Sequence, residues 1–573
     1  MLTESLAVGA TDQPLIEKTI GDVFDDTVAR WPDRGAIVSR HEGLRYTYRD
    51  LQREVNRLAS ALLELGLVPG DRVGVWSHNN VAWLLTQLAT AKTGLILVTI
   101  NPAYRVTELE YALNKSGCKM LVTMRQFKTS NYLDILLELA PELRDGIGGE
   151  LHAAKLPHLR HVMWTDGVGQ ELDERQAWVD QSRAVRFSRL LASGNEDDPR
   201  VQELARTLRA TDPINIQFTS GTTGFPKGAT LTHRNILNNG FFVGEQMKLT
   251  HEDKLCVPVP LYHCFGMVMG NLACISHGST IVYPNDGFDP LTVLQAIEEE
   301  GCTALHGVPT MFAAELDHPR FKEYDLSTLR TGIMAGAPCP IELMKRAVNE
   351  MHLSEITIAY GMTETSPVSC QSTTDAPLDK RVSSVGTVHP HIEIKIIDPA
   401  TGSVLPAGET GELCTRGYSV MRGYWGDEAK TQEVLDRDGW MHTGDLGVIN
   451  PDGYVNIVGR IKDLIIRGGE NISPFEIEEF LCRHPMISSA QVVGVPDEKY
   501  GEALCAWLIL KPGSALSADE VRDFCKGQIA HYKVPKYIRI VTEFPMTVTG
   551  KIQKFKIRED MQKVLGLTEQ ATA

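Results

Sequence analysis

The chain lacks the features of a membrane-spanning or disulfide-bonded protein. Its 11 cysteines are scattered singly, without a CxxC pair or the His/Cys spacing of a zinc site, so we expect reduced thiols. The longest apolar window, residues 83–100, is interrupted by Gln87, Lys92 and Gly94, which argues against a membrane span. Residues 1–26 show neither a signal nor a transit pattern, so we expect a cytoplasmic protein.

An excess of basic charge is also missing. The formal net charge is −16, from 57 Lys and Arg against 73 Asp and Glu, which argues against nucleic acid as a general partner. The sequence has no internal repeat, no low-complexity tract and no coiled-coil pattern that would support a scaffold role. A composition of 43% hydrophobic and 23% charged residues is ordinary for a soluble globular enzyme, and a homodimer is left open.

The order of apolar segments predicts an α/β fold. A chain of 573 residues is too long for one core, so we expect either three to four units of roughly 150 residues or a large composite domain and a small one. Strands alternate with helices up to about residue 340, for example a strand at 71–76 followed by a helix from about Asn80. Such alternation favours parallel sheets covered by helices on both faces, here in two α/β subdomains.

Two regions depart from that alternation. Residues 141–209 are polar and poorly periodic, and they are interpreted as an excursion or as surface helices. Residues 385–458 contain short strands separated by frequent turn signals, which predicts a small β-rich module. We place a large N-terminal domain at 1–461 and a small α+β C-terminal domain at 462–573.

A glycine-rich stretch from Thr219 to Gly228, Thr-Ser-Gly-Thr-Thr-Gly-Phe-Pro-Lys-Gly, predicts a phosphate-binding loop. Glycine lets backbone N–H groups turn toward a ligand, the hydroxyls add donors and Lys227 adds a positive charge. A solvated linker is the alternative, and a Walker A loop is excluded because Gly228 follows the lysine. The candidate ligands are Thr219, Ser220, Gly221, Thr222, Thr223, Gly224, Phe225, Pro226 and Lys227.

This stretch resembles the phosphate-gripping signature of the acyl-CoA synthetases, adenylation domains and luciferases that form acyl-adenylates. Further stretches match that family in order over about residues 20–560. The resemblance places a small-residue turn and an aromatic strand end against adenine, Thr363 on phosphate and Glu364 on Mg²⁺. Taken alone, the aromatic stretch would equally be an ordinary strand end. The nucleotide-binding candidates of these two stretches are Gly336, Ala337, Pro338, Tyr360, Gly361 and Met362.

The resemblance also assigns residues in the last third of the chain. Asp445 and Arg460 are given to the ribose hydroxyls, although an aspartate in a glycine-rich turn is by itself usually a turn former. Lys462 is the expected hinge, and Gly468 and Gly469 are expected to line the path of coenzyme A. Lys551, after Gly550, resembles the catalytic lysine of the adenylating step.

The resemblance implies an AMP-forming acid–thiol ligase that uses ATP, Mg²⁺ and CoA. It would activate a carboxylic acid as acyl-AMP, release pyrophosphate and transfer the acyl group to CoA. Overall, the sequence most resembles the medium-chain fatty acyl-CoA ligases. The apolar residues that would line the acyl pocket could equally be ordinary core residues. Loading of a carrier protein, luciferase-type oxidation and a non-catalytic nucleotide-binding homologue stay open. The acyl-pocket candidates are His263, Phe241, Met267 and Ile333.

Overall fold

The computed structural model describes seven stretches of the chain, which form two compact units. The larger unit comprises Val8–Glu393 and Thr415–Met441, and the smaller comprises Met1–Ala7, Ile394–Cys414 and His442–Ala573. Among the described residues, no helix is both long and apolar enough to cross a membrane. The described residues are 1–127, 130–165, 179–219, 226–468, 470–497, 499–547 and 552–566.

The larger unit contains an eight-stranded sheet. Its first six strands are parallel, and the last two add antiparallel to one edge. In spatial order the strands are Val185–Arg186, His161–Thr165, Cys118–Met124, Arg72–Trp76, Ile96–Ile100, Pro213–Thr219, Lys227–Thr232 and Gly423–Tyr424. A separate two-stranded ribbon pairs Gln126–Phe127 with Ser130–Asn131.

A nine-stranded sheet is the second sheet of the larger unit. Its six middle strands are parallel, with antiparallel strands at both edges. In spatial order the strands are Thr387–Val388, Val368–Gln371, Glu355–Gly361, Thr331–Ala335, Ala304–Gly307, Lys254–Cys256, Thr280–Tyr283, Gly35–Ser39 and Leu44–Thr47.

Helices fill the space between these two sheets. Alternate strand residues point to opposite faces, so Val73 and Val75 join the core shared with the inner helices while Trp76 joins the core on the outer face. Every residue of Val81–Thr93 is buried, as expected for a helix surrounded by others. The other inner helices are Ile20–Arg30, Tyr48–Glu64, Phe187–Ser193, Pro199–Ala205, His233–Gln246, the π-helix Phe265–Leu272 and Ala273–His277.

Further helices cover the outer faces of both sheets. Val106–Ser116, Tyr132–Leu139 and the 3-10 turn Pro141–Arg144 pack against the eight-stranded sheet. Pro290–Glu300, Pro309–Leu316 and Ile341–Glu350 pack against the nine-stranded sheet. The remaining helical segments of this unit are Phe321–Glu323, Thr363–Thr365, Leu378–Ser383 and Glu428–Val434.

The smaller unit contains two five-stranded sheets. Several strands of the first sheet continue for a few residues beyond the bounds of the smaller unit. That sheet consists of Leu6–Val8, Ile392–Ile397, Gly411–Gly417, Met441–Ile449 and Val455–Arg460. The second consists of Glu470–Ile472, Ile465–Arg467, Gly501–Leu510, Ile487–Asp497 and Tyr537–Ile540. The helical segments are Ile461–Asp463, Pro474–Cys482, Ala518–Cys525, His531–Lys533 and Lys554–Leu565.

The predicted α/β architecture is confirmed, and one regional interpretation is wrong in part. Residues 141–209 contain helices, as one of the two interpretations expected, but in the described part of this region His161–Thr165 is an inner strand of the eight-stranded sheet and Val185–Arg186 is its edge strand. The inner strand offers only the three apolar residues Val162, Met163 and Trp164 in polar surroundings. A run that short carries too weak a periodic signal to be recognised.

Candidate active site

The arms of the predicted phosphate loop are two neighbouring antiparallel strands. Thr219 ends the first arm, Lys227 begins the second, and the two residues are partners in the strand register. Pro226 directly precedes the second arm. The predicted ligands at 220–225 lie outside the described residues. Thr219 and Lys227 therefore lie side by side at the ends of two paired strands.

Glu364 lies beside this connection, although it is 145 positions from Thr219 in the sequence. It is on the 3-10 turn Thr363–Thr365, which follows the strand Glu355–Gly361, and it is 5% exposed. Thr219 Oγ1 lies 3.3 Å from Glu364 Oε1 and 3.4 Å from the carbonyl oxygen of Lys227. The fold thus brings a candidate phosphate ligand and the candidate metal ligand into direct contact.

Tyr424 is a residue of this cluster that the sequence did not reveal. Its hydroxyl donates to Glu364 Oε1 at 2.9 Å, and Lys227 Nζ lies 4.9 Å from its ring centroid. Burial, with the neighbouring Glu364 carboxylate, raises the pKa of Tyr424, so the phenol stays a protonated donor. The short strand Gly423–Tyr424 reaches the site by pairing beside Lys227–Thr232. Its only sequence signal is an aromatic residue after a glycine.

The nucleotide-binding candidates at 336–338 and 360–362 lie at or just after the ends of two adjacent parallel strands. Ala335 and Ala359 are register partners near the ends of these strands, so the segments that begin at Gly336 and Tyr360 share one carboxyl edge. Gly336 has φ of +88°, a left-handed conformation that favours glycine. A Cβ at Gly361 would lie 1.7 Å from the carbonyl oxygen of Pro367, so no other residue fits there. The carboxyl edge of a parallel sheet is the usual position of a ligand crevice.

The two ribose candidates are direct partners in the smaller unit. Asp445 and Arg460 are opposite each other on adjacent antiparallel strands, with Arg460 Nε 2.9 Å from Asp445 Oδ1. The carboxylate side chain is 8% exposed, whereas the arginine side chain is 50% exposed. An oriented carboxylate of this kind can accept hydrogen bonds from two neighbouring hydroxyls.

The remaining candidates of the smaller unit are only partly described. Lys462 is on the 3-10 turn Ile461–Asp463, directly after Arg460. Gly468 has φ of +61°, and its N–H donates to the carbonyl oxygen of Tyr500 at 2.8 Å. Gly469 and Lys551 lie outside the described residues, so their roles stay predictions.

The acyl-pocket candidates fall into two groups. Nδ1 of His263 accepts from the N–H of Phe265 at 3.2 Å, at the start of the buried π-helix Phe265–Leu272 that carries Met267. Extended π-helices are rare and often mark functional sites. Met267 and Ile333 are fully buried. Phe241 instead stacks on His277, with ring centroids 5.4 Å apart, at the far end of the same helical segment.

Comparison with known proteins identifies the family. The profile of the AMP-binding enzymes matches residues 24–425, more than half of the chain, and the profile of the AMP-binding enzyme C-terminal domain matches 476–551. The chain belongs to the AMP-binding enzyme family. Two relatives of this AMP-binding enzyme are both named medium-chain acyl-CoA ligase ACSF2, mitochondrial. The one from Danio rerio is 45% identical over 570 residues, covering 99% of this chain and 92% of the relative. The one from Homo sapiens is 44% identical over 570 residues, covering 98% and 91%.

Solved structures show the same fold along nearly the whole AMP-binding chain. ATP-bound MatB from Rhodopseudomonas palustris has a TM-score of 0.80 at 28% identity, with 95% of this chain and 99% of that chain covered. The anthranilate CoA ligase AuaEII, in complex with anthranoyl-AMP, has a TM-score of 0.80 at 25% identity, with 97% and 99% covered. The predicted enzyme class, an AMP-forming acid–thiol ligase, is confirmed.

Proposed function

We propose that this enzyme activates a medium-chain fatty acid with ATP and transfers the acyl group to CoA. The acid carboxylate attacks the α-phosphorus of ATP, and pyrophosphate leaves. The thiolate of CoA then attacks the acyl-adenylate carbonyl, and AMP leaves. The observation that supports the adenylating step is the buried Glu364 carboxylate, which contacts the hydroxyls of Thr219 and Tyr424 beside the Lys227 strand.

The main requirement of the first step is neutralisation of charge, because two anions meet at one phosphorus atom. Lys227 provides a cation at the start of its strand, and Thr219 provides a hydroxyl opposite it. Both are fixed by sheet hydrogen bonds before the substrate binds, so little reorganisation accompanies the reaction. We assign these two residues to the polyphosphate of ATP.

The side chain of Glu364 fits a magnesium ion. Mg²⁺ prefers oxygen ligands and binds proteins through one or two carboxylates together with substrate phosphates. The Glu364 carboxylate is 5% exposed and is oriented by two hydroxyl groups, which keeps it ready for a cation. When bound, the ion would supply positive charge to the phosphates during displacement.

The residues of the smaller unit have proposed roles in both steps. By resemblance, Asp445 and Arg460 hold the ribose, and Lys551 stabilises charge in the adenylating step alone. The C-terminal domain would then pivot at Lys462, withdraw Lys551 and present Gly468 and Gly469 to the pantetheine of CoA. In this proposal Lys551 and the pantetheine thiol of CoA occupy the same part of the active site, one after the other.

A medium-chain acid is proposed from the apolar candidates and from the relatives. Met267 and Ile333 are buried and apolar, and each CH₂ group of an acyl chain buried against such residues gains about 0.8 kcal/mol. The relatives from Danio rerio and Homo sapiens bear medium-chain names.

We also propose a cytoplasmic location for this chain, although those relatives have mitochondrial names. Light scattering of the purified protein, which measures its mass in solution, tests the possible homodimer.

The substrate proposal is tested by AMP formation with CoA across acetate, octanoate, palmitate and benzoate. We expect octanoate to give the highest kcat/KM. A maximum at acetate or benzoate would contradict the medium-chain assignment while leaving the ligase class intact. Acyl-AMP that forms but is not transferred to CoA would favour a carrier protein as the acceptor. Absence of AMP with every acid would favour a non-catalytic homologue.

A further inference from the structure

We propose that Glu412, Cys414 and His442 form a binding site for a thiophilic divalent cation such as Zn²⁺ or Co²⁺. The three residues belong to the smaller unit, and none of them has a role in the ligase reaction described above. The proposal therefore stands or fails independently of the substrate assignment.

The strand geometry brings the three side chains together. Glu412 and Cys414 are two positions apart on Gly411–Gly417, so they point to the same face of the sheet. His442 is on the neighbouring strand Met441–Ile449. Its Nδ1 lies 3.1 Å from Glu412 Oε2 and 3.6 Å from Cys414 Sγ, and the three candidate ligand atoms lie within 4.8 Å of one another.

These separations suit a tetrahedral ion. Zinc bonds of about 2.1 Å to nitrogen or oxygen and about 2.3 Å to sulfur place neighbouring ligand atoms roughly 3.4 to 3.7 Å apart. The cluster needs only small side-chain shifts to reach those values. A thiolate, an imidazole and a carboxylate select Zn²⁺ or Co²⁺ over Mg²⁺, which prefers oxygen ligands alone. Three protein ligands leave the fourth position for water, so we expect an exchangeable ion.

The surroundings already orient one of the ligands. Glu412 Oε1 accepts a hydrogen bond from the N–H of Gly444 at 3.2 Å, which turns Oε2 toward His442. Such outer contacts fix ligand carboxylates in metal sites. The Glu412 side chain is 12% exposed and that of His442 is 34% exposed, so an ion can enter from the histidine side.

Binding exchanges protons for the ion. The Sγ–H proton of Cys414 is released to solvent, and the ring proton of His442 moves to Nε2 so that the Nδ1 lone pair faces the metal. No oxidant or reductant is needed. Gly444 directly precedes Asp445, so an ion held by Glu412 would also restrain the turn that carries the ribose candidate.

Titration of the purified full-length protein with Co²⁺ tests the site. A thiolate bound to Co²⁺ gives a charge-transfer band in the near ultraviolet, which histidine and carboxylate sites lack. We expect a saturable band from one equivalent of Co²⁺, lost in Cys414→Ser and weakened at least tenfold in apparent affinity in His442→Gln. Cys482→Ser is the matched control, because Cys482 is an exposed thiol of the same unit and should leave the band unchanged.

The outcomes separate the proposal from nonspecific binding. Absence of the band in the unmodified protein would overturn the proposal, as would a band that survives in Cys414→Ser or disappears in Cys482→Ser. Glu412→Gln guards against misfolding of the cysteine variant, since it keeps the shape of the side chain. Circular dichroism of Glu412→Gln should match that of the parent protein, while the Co²⁺ midpoint rises. An unchanged midpoint would remove Glu412 from the site.

Discussion

The hydroxyl of Tyr424 donates a hydrogen bond of 2.9 Å to Oε1 of Glu364, and this contact links the two sheets of the larger unit at the candidate active site. Tyr424 is on the edge strand of the eight-stranded sheet. Glu364 is on the turn that follows a strand of the nine-stranded sheet. The carboxylate is carried by a turn of the nine-stranded sheet and is held by hydroxyls of Thr219 and Tyr424 from the eight-stranded sheet, which fixes its position before any ligand binds.

Tyr424→Phe should weaken the nucleotide step. A hydrogen bond to a charged group contributes about 1.5 to 3 kcal/mol, which corresponds to roughly a 10- to 100-fold effect. We expect acid-dependent exchange between ATP and pyrophosphate to fall by that factor at low Mg²⁺, and excess Mg²⁺ to restore part of it. The exchange assay, run over a range of Mg²⁺ concentrations, measures both effects.

Tyr283→Phe is the matched control for this variant. Tyr283 is fully buried in the larger unit, and its hydroxyl donates to Asn271 Oδ1 at 2.8 Å, away from Glu364. It should lower the free energy of unfolding and leave the Mg²⁺ dependence unchanged. If both phenylalanine variants changed the exchange reaction equally, Tyr424 would act only through the fold.

Asp445→Ala and Arg460→Ala should each raise the KM for ATP about tenfold, and the double variant should add little because the two side chains are direct partners. The KM for the acid should not change. Arg346→Ala is the control, since Arg346 forms a similar 2.9 Å ion pair with Asp317 elsewhere. Independent, multiplicative effects on the KM for ATP would show that the pair does not bind one group.

Lys551→Ala should separate the two half-reactions. Loss of one preorganised charge donor costs on the order of 10²- to 10³-fold in rate, and we expect this loss in adenylation. Thioester formation from pre-made acyl-adenylate and CoA should be affected much less. Equal losses in both reactions, each measured in a single turnover, would reject the assignment.

Lys462→Pro tests the hinge in the opposite sense, because it should spare adenylation and slow thioester formation.

Glu315→Gln should stabilise the protein increasingly as the pH rises. Glu315 is 1% exposed, neither carboxylate oxygen has a hydrogen-bond partner among the described residues, and burial raises its pKa well above the usual value. The folded state keeps its proton above the ordinary pKa of glutamate, where the unfolded state releases it. Stability is therefore lost as pH rises toward the folded pKa, by up to about 1.4 kcal/mol per pH unit.

Urea unfolding of parent and Glu315→Gln at several pH values between about 5 and 8 measures this slope. The difference in the free energy of unfolding should grow with pH. Glu323→Gln is the control, because its 56% exposed side chain pairs with Arg320 at the surface, where the replacement should change the free energy of unfolding little. A difference for Glu315→Gln that does not vary with pH would mean that its carboxyl titrates normally when folded.

Much of the fold was predictable because its signals are local. The strand Arg72–Trp76 and the helix Val81–Thr93 are long apolar segments, and their alternation identifies a parallel sheet without any knowledge of distant contacts. The strand His161–Thr165 was missed because its partners, not its own residues, make it part of the sheet. The edge strand Leu6–Val8 pairs with Ile392–Ile397, which lies far away in the sequence, and no local pattern predicts such pairing.

The sequence also revealed some residues of the candidate site and missed others. The resemblance to the family singled out Thr219, Glu364, Asp445 and Arg460, because each lies in a short stretch with a recognisable motif. Tyr424 could not be found, since its role comes from a two-residue strand that pairs across the sheet edge. The cluster of Glu412, Cys414 and His442 was also missed, because its ligands are brought together by neighbouring strands rather than by zinc-like spacing.

The most direct test of the account is the product analysis of ATP consumed with octanoate, combined with pyrophosphate exchange in the parent protein and in Glu364→Gln. We predict octanoate-dependent formation of AMP and pyrophosphate in equal amounts, with exchange reduced on the order of 10²-fold or more in the variant. Formation of ADP, or exchange that survives unchanged in Glu364→Gln, would contradict the account.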